Sequence, residues 1–195
     1  MQDRARILGI SGSLRQASYN SALLRAARDL APAGAQIEIF DLSDIPFYNG
    51  DVESSGLPEP VARLAEAVRT ANALLIVTPE YNHSVPAVLK NAIDWISRPS
   101  AGNPLRHKPI ALLGASGGQY GTVRAQSHLR QIFASAIEAY VMIKPDLFVN
   151  NAASKIDADG NVTDEETRQR IAAHVEALVA WSRLVSREPV AGAAH

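Results

Sequence analysis

Five short apolar runs, separated by longer stretches with helical spacing, constrain this chain more than any other feature. The runs cover residues 6–10, 36–40, 73–78 and 110–114, with a broken one over 141–149. Helical patterns lie at 20–30, 60–70, 86–95 and 122–139, and a last one at 164–185. This βαβ rhythm predicts a parallel sheet covered by helices on both faces. The third run, Ala73-Leu-Leu-Ile-Val-Thr78, is nearly all apolar, as a strand buried on both sides requires. Thr163-Asp-Glu-Glu166 reads as a capping box for the last helix. Pro60 and Pro86 suit a first helical turn. The 43–57 stretch is an irregular excursion. No linker divides the chain, so we expect one domain over 1–188 and a frayed tail over 189–195.

Composition narrows the function classes. The net charge of −1 lacks the basic footprint of a nucleic-acid binder. No apolar stretch approaches the ~20 residues that span a bilayer. There are no cysteines, which removes disulfides, thiol nucleophiles and thiolate metal sites. We expect a cytoplasmic protein without membrane or nucleic-acid partners.

In an open parallel sheet the ligand sits beyond the carboxyl ends of the strands. Three loops there carry unusual text. The first, Ser11-Gly-Ser-Leu-Arg-Gln-Ala-Ser-Tyr-Asn20, offers several hydroxyls and a guanidinium at a helix start. Helix N–H groups and the helix dipole complete a phosphate site there. A hydroxyl-rich loop suits a terminal phosphate monoester. It is neither a Walker A loop nor Gly-x-Gly-x-x-Gly. The second loop, Thr78-Pro-Glu-Tyr-Asn-His-Ser-Val-Pro86, is stiffened by two prolines and offers a ring and polar groups to a flat heteroaromatic. The third, Gly114-Ala-Ser-Gly-Gly-Gln-Tyr-Gly121, lets backbone approach a ligand closely.

Other patterns compete. Gly114-x-Ser116-x-Gly118 matches the nucleophile elbow of serine hydrolases, with Asp146 or Asp157 and His174 as nominal partners. His174 falls inside a helical pattern, which argues against a triad. Asp157-Ala-Asp-Gly-Asn161 has calcium-loop composition, but its glycine is misplaced and Arg168 stands at the last ligand position. It reads as a turn, and we expect no metal site.

Gly12-Ser-Leu-Arg15 with Ser18 and Asn20, Thr78-Pro-Glu-Tyr-Asn82, Ser84-Val-Pro-Ala-Val-Leu-Lys-Asn-Ala-Ile-Asp-Trp95 and the segment from Gly121 through Arg124 to Gln131 resemble the NADPH-dependent FMN reductase family. That flavodoxin-like group includes quinone and chromate reductases. The resemblance implies a three-layer α/β/α sandwich with a five-stranded parallel sheet of order 2-1-3-4-5. It implies FMN bound at the carboxyl edge, with NADPH or NADH as co-substrate. Ser11, Ser13, Leu14, Arg15, Ser18 and Asn20 would carry the phosphate. Pro79, Glu80, Tyr81, Asn82 and His83 would hold the isoalloxazine, and Ser116, Gly117 and Gly118 would close its other side. The flavin performs the redox chemistry, so no residue is expected to act as catalytic acid or base. The implied activity is ping-pong transfer of electrons to a quinone or similar small acceptor. A homodimer or homotetramer is also implied, formed through Ala92-Ile-Asp-Trp95. His83 and Ser127 stand where chromate-reducing members carry Tyr. A non-enzymatic flavodoxin-type carrier or a flavin-binding regulatory protein is the alternative. Carriers of that kind are strongly acidic, unlike this chain.

Overall fold

The computed structural model describes residues 4–186. The strands are β1 (Ala5–Ser11), β2 (Ala35–Phe40), β3 (Ala73–Val77), β4 (Pro109–Ala115), β5 (Tyr140–Val141) and β6 (Leu147–Val149). The helices are α1 (Tyr19–Asp29), α2 (Gly50–Ser54), α3 (Glu59–Thr70), α4 (Ala87–Ile96), α5 (Val123–Ala134) and α6 (Glu165–Val185). All pairings in the sheet are parallel, in the order β2-β1-β3-β4-β5. The fifth position is split, as the broken apolar run foretold. β5 pairs with Pro109 and Ile110, whereas β6 pairs with Leu113, Gly114 and Ala115 of the same β4.

Alternation along the strands feeds two cores. Ile7, Leu75 and Leu113 point to the face covered by α1 and α6. Leu8, Leu74 and Leu112 point to the face covered by α3, α4 and α5. Both sides are buried, so β3 and β4 contain no polar residue at all. The three layers and strand order are those of a flavodoxin-like fold.

Several local expectations need correction. α5 stops at Ala134, short of residue 139, and Glu138 takes a left-handed φ of 56°. The chain must reverse there so that Tyr140 can start pairing beside Pro109. The cap of α6 is Asp164, whose carboxylate accepts the Thr167 N–H at 2.8 Å; Thr163 instead bonds Lys155. The cap therefore lies one residue later than the sequence pattern placed it, and it is a simple cap without the reciprocal bond of a box, since the Asp164 N–H goes to Lys155. Pro86 is the cap of α4 and not part of its first turn. Part of the 43–57 excursion forms α2. The excursion is pinned by Pro46, whose carbonyl accepts the Trp95 indole N–H and the Asn91 amide, each at 2.8 Å. Residues 189–195, expected to fray, lie outside the described residues.

Candidate functional site

The sheet register brings the three loops together. Ser11 pairs with Val77 and Val77 with Leu113, so β1, β3 and β4 end side by side. Gly12 continues the ladder by donating its N–H to Val77, and Thr78 donates to Leu113. Between the loops opens a cleft of about 360 Å³, lined by Ser13, Arg15, Ser18, Tyr19, Asn20, Pro79, Glu80, Tyr81, Ala115, Ser116 and Gly117. It contains most of the residues expected from sequence and adds Tyr19 and Ala115.

The first loop is ordered by its own hydroxyls. Ser18 Oγ caps α1 by accepting the Ser21 N–H at 3.3 Å, which leaves its own proton to donate. Ser11 Oγ accepts the Ser13 N–H at 3.3 Å and pairs with Ser21 Oγ at 2.9 Å. It therefore braces the loop from behind. Ser13 Oγ accepts the Arg15 N–H at 3.4 Å. The first turn of α1 holds no acidic residue, so its partial positive charge is not neutralised from within the helix. Leu14 and Arg15 are exposed, and Arg15 has no ion-pair partner among the described residues. Gly12 does not have a positive φ. It is needed for packing: a Cβ there would lie 3.0 Å from Pro86 and 3.1 Å from Pro79.

Asn20 is buried and uses its amide like a short strand. Its Nδ2 donates to the Ala115 carbonyl at 3.0 Å, and its Oδ1 accepts the Ala115 N–H at 2.8 Å. It thereby ties the first loop to the third.

The second loop closes as a two-residue hairpin. Tyr81 and Ser84 exchange backbone hydrogen bonds, and Asn82 and His83 between them have φ of 49° and 61°. Positive φ at both central residues is a type I′ turn, which holds Tyr81, Asn82 and His83 out at the rim. Glu80 points inward. Its carboxylate accepts the backbone N–H of Arg124 at 2.9 Å and of Ala125 at 3.1 Å, with the Arg124 guanidinium at 3.3 Å. Burial pushes the Glu80 carboxyl up, but these donors outweigh it and hold it below its ordinary value. His83 Nδ1 lies 3.6 Å from the same carboxylate. Sequence reading missed this cap. Thr122, the residue at the cap position of α5, makes no side-chain cap bond, and the first turn of α5 holds no acidic residue, so the distant Glu80 supplies the acceptor.

In the third loop, Ser116 Oγ accepts the Gly118 N–H and faces the Gly118 carbonyl, both at 3.3 Å. A Cβ on Gly117 would meet nothing within 4 Å, whereas one on Gly114 would stand 2.2 Å from Thr122 Oγ1 and from the Thr78 carbonyl. Gly117 faces open cleft, and Gly114 is a packing glycine. The serine-hydrolase arrangement does not form. His174 is buried in α6, neither of its ring nitrogens has a hydrogen-bond partner, and burial pushes it down to about 4. The acidic 157–161 segment is a tight turn, bridged by Ile156 and Val162. Among the described residues no cluster of His, Asp and Glu could hold a metal, and no helix is long and apolar enough to cross a membrane. The segment expected to form an oligomer contact is turned inward: Ala92, Ile93 and Trp95 are buried within the protomer.

Residues 5–154 match the family model described as NADPH-dependent FMN reductase. An NAD(P)H-dependent FMN reductase of Pseudomonas aeruginosa is 48% identical over 183 residues, covering 94% of this chain and 98% of the relative. A 2-hydroxy-1,4-benzoquinone reductase of a Burkholderia species is 39% identical, covering 91% of this chain and 96% of the relative. Among solved structures, the flavoenzyme NAD(P)H:(acceptor) oxidoreductase FerB of Paracoccus denitrificans superposes with a TM-score of 0.83 at 34% identity, over 92% of this chain and 98% of its own.

Proposed function

This chain belongs to the NADPH-dependent FMN reductase family and is an oxidoreductase that works with FMN and NAD(P)H, and from that premise we propose that the cleft between its three loops is the flavin site. The donor set fits. One end has hydroxyls, an arginine without a carboxylate partner and the start of α1. The other end has Pro79, Tyr81 and a glycine whose missing Cβ leaves open space. Bound FMN supplies two-electron redox chemistry.

Ser13, Leu14, Arg15 and Ser18 form the phosphate end, and Ser11 and Asn20 hold them in place. Pro79 and Tyr81 support one side of the ring system, with Asn82 and His83 at the rim. Ser116, Gly117 and Gly118 close the other side; Val149 takes the Ser116 N–H and Ser116 Oγ the Gly118 N–H, which leaves the Gly117 N–H for negative charge on the flavin. Glu80 acts at one remove, by fixing α5 and its Arg124 against the second loop. No side chain is assigned as proton donor or acceptor.

We further propose a ping-pong cycle in which the nicotinamide cofactor leaves before a small quinone enters. The quinone class rests on the relatives, several of which are named quinone reductases. A homodimer or homotetramer and a cytoplasmic location complete the reading, and the single sheet shared by all described strands supports one domain over 1–188. The observation that carries the proposal is the convergence of the three loops at the ends of β1, β3 and β4. The experiment is anaerobic mixing of FMN-loaded protein with NADPH or NADH. Prompt bleaching of the visible flavin band is expected, with recovery on adding a quinone. A loaded protein that does not bleach would refute it.

A further inference from the structure

The phosphate loop is open on two sides. Behind it lies a second cavity of about 450 Å³, between α1 and the 157–160 turn. Arg15, Ser18 and Tyr19 line both this cavity and the cleft, so the two are neighbours across the loop. Both volumes lie in the range of small-molecule pockets.

The lining has a definite chemistry. Arg15 lies over the Tyr19 ring at 5.6 Å, which makes a flat cationic surface. Arg25 reaches in from the second turn of α1, and its Nη2 touches only the Gly160 carbonyl, at 3.3 Å. Neither guanidinium has a carboxylate within 4.0 Å among the described residues. Asp157 is tied into its own turn by the N–H and amide of Asn161, at 2.7 and 3.1 Å. Asp159 is exposed on the rim. Two cations call for a phosphate, the stacked Tyr19 and Arg15 offer a base a platform, and a rim carboxylate accepts ribose hydroxyls. A bare phosphate would leave most of the volume unfilled.

We propose that this second cavity is a subsite for an adenylate moiety, adenosine 5′-phosphate, lying beside the flavin phosphate. The inference rests on placing that phosphate in the first loop. Two molecules could bring the adenylate: FAD, as the tail of the flavin itself, or the nicotinamide co-substrate.

The test titrates AMP into FMN-loaded protein by calorimetry. The expected result is binding with a dissociation constant of about 1 mM or tighter. Arg25→Ala should weaken AMP by roughly tenfold, as expected for loss of a charge-assisted hydrogen bond, and leave FMN affinity unchanged. If FAD binds apoprotein and R25A weakens FAD but not FMN, the moiety belongs to the flavin. If AMP competes with NADH or NADPH and R25A raises their KM at unchanged kcat, it belongs to the co-substrate. Loaded protein that binds no AMP, or an R25A variant with unaltered AMP affinity, overturns the subsite alone. Protein that loads no FMN overturns the cleft assignment beneath it.

Discussion

The Glu80 carboxylate sits over the first turn of α5 and accepts the Arg124 N–H at 2.9 Å from a position 44 residues earlier in the chain. One side chain thus caps a helix, pairs its arginine and anchors the second loop. Glu80→Ala would leave two N–H groups at the helix start without partners. We expect a loss of about 1–3 kcal/mol, measured by urea denaturation. Because Glu80 is held below its ordinary value, its contribution is complete above the unfolded-state range and disappears as pH falls through the folded value. The gap between wild type and variant should therefore shrink below about pH 4, the ordinary Glu range.

Arg15 tests the phosphate end. Arg15→Ala should weaken FMN by about 1.5–3 kcal/mol, roughly ten- to hundredfold, with little change in unfolding midpoint because the side chain is exposed. Flavin fluorescence during titration of the apoprotein reads this directly. Unchanged affinity would remove Arg15 from the site.

Two glycines in the third loop should separate stability from binding. Gly114→Ala drives a Cβ to 2.2 Å from Thr122 Oγ1 and the Thr78 carbonyl, so it should cost about 1–3 kcal/mol or more. The Cβ of Gly117→Val meets nothing within 4 Å, so its melting temperature should stay near wild type while flavin content falls sharply. Thermal melts and the flavin-to-protein absorbance ratio check both. A Gly117→Val protein with full flavin content would contradict the placement of the ring.

His174 should make the fold sensitive to mild acid. Its folded value of about 4 lies below the ordinary 6.5, so the unfolded chain binds a proton that the folded chain refuses. Stability should fall as pH drops from about 6.5 toward 4, by roughly 2–4 kcal/mol from this group. His174→Leu, which also removes two buried ring nitrogens without partners, should flatten that slope in urea titrations at several pH values. A slope identical to wild type would exclude His174 as its source.

The sequence carried the periodic features well. Strand cores follow from apolar runs, and the break in the fifth strand was visible between residues 141 and 149. The three loops were legible because each follows a strand directly and is rich in hydroxyls, prolines or glycines. What stayed hidden depends on partners far away along the chain. Asn20 looks like a phosphate ligand in its loop, yet its amide pairs with Ala115, 95 residues later. Glu80 looks like a ring contact, yet it caps α5. Trp95 looks like an interface residue, yet its indole is sealed against Pro46. Local pattern gives no signal for such distant hydrogen bonds.

The exchange between Asn20 and Ala115 has a consequence for the rate of ligand capture. The pair joins two walls of the cleft through hydrogen bonds that the protein makes with itself, so Asn20→Ala, which breaks both, should slow flavin uptake in stopped-flow fluorescence as well as weaken it.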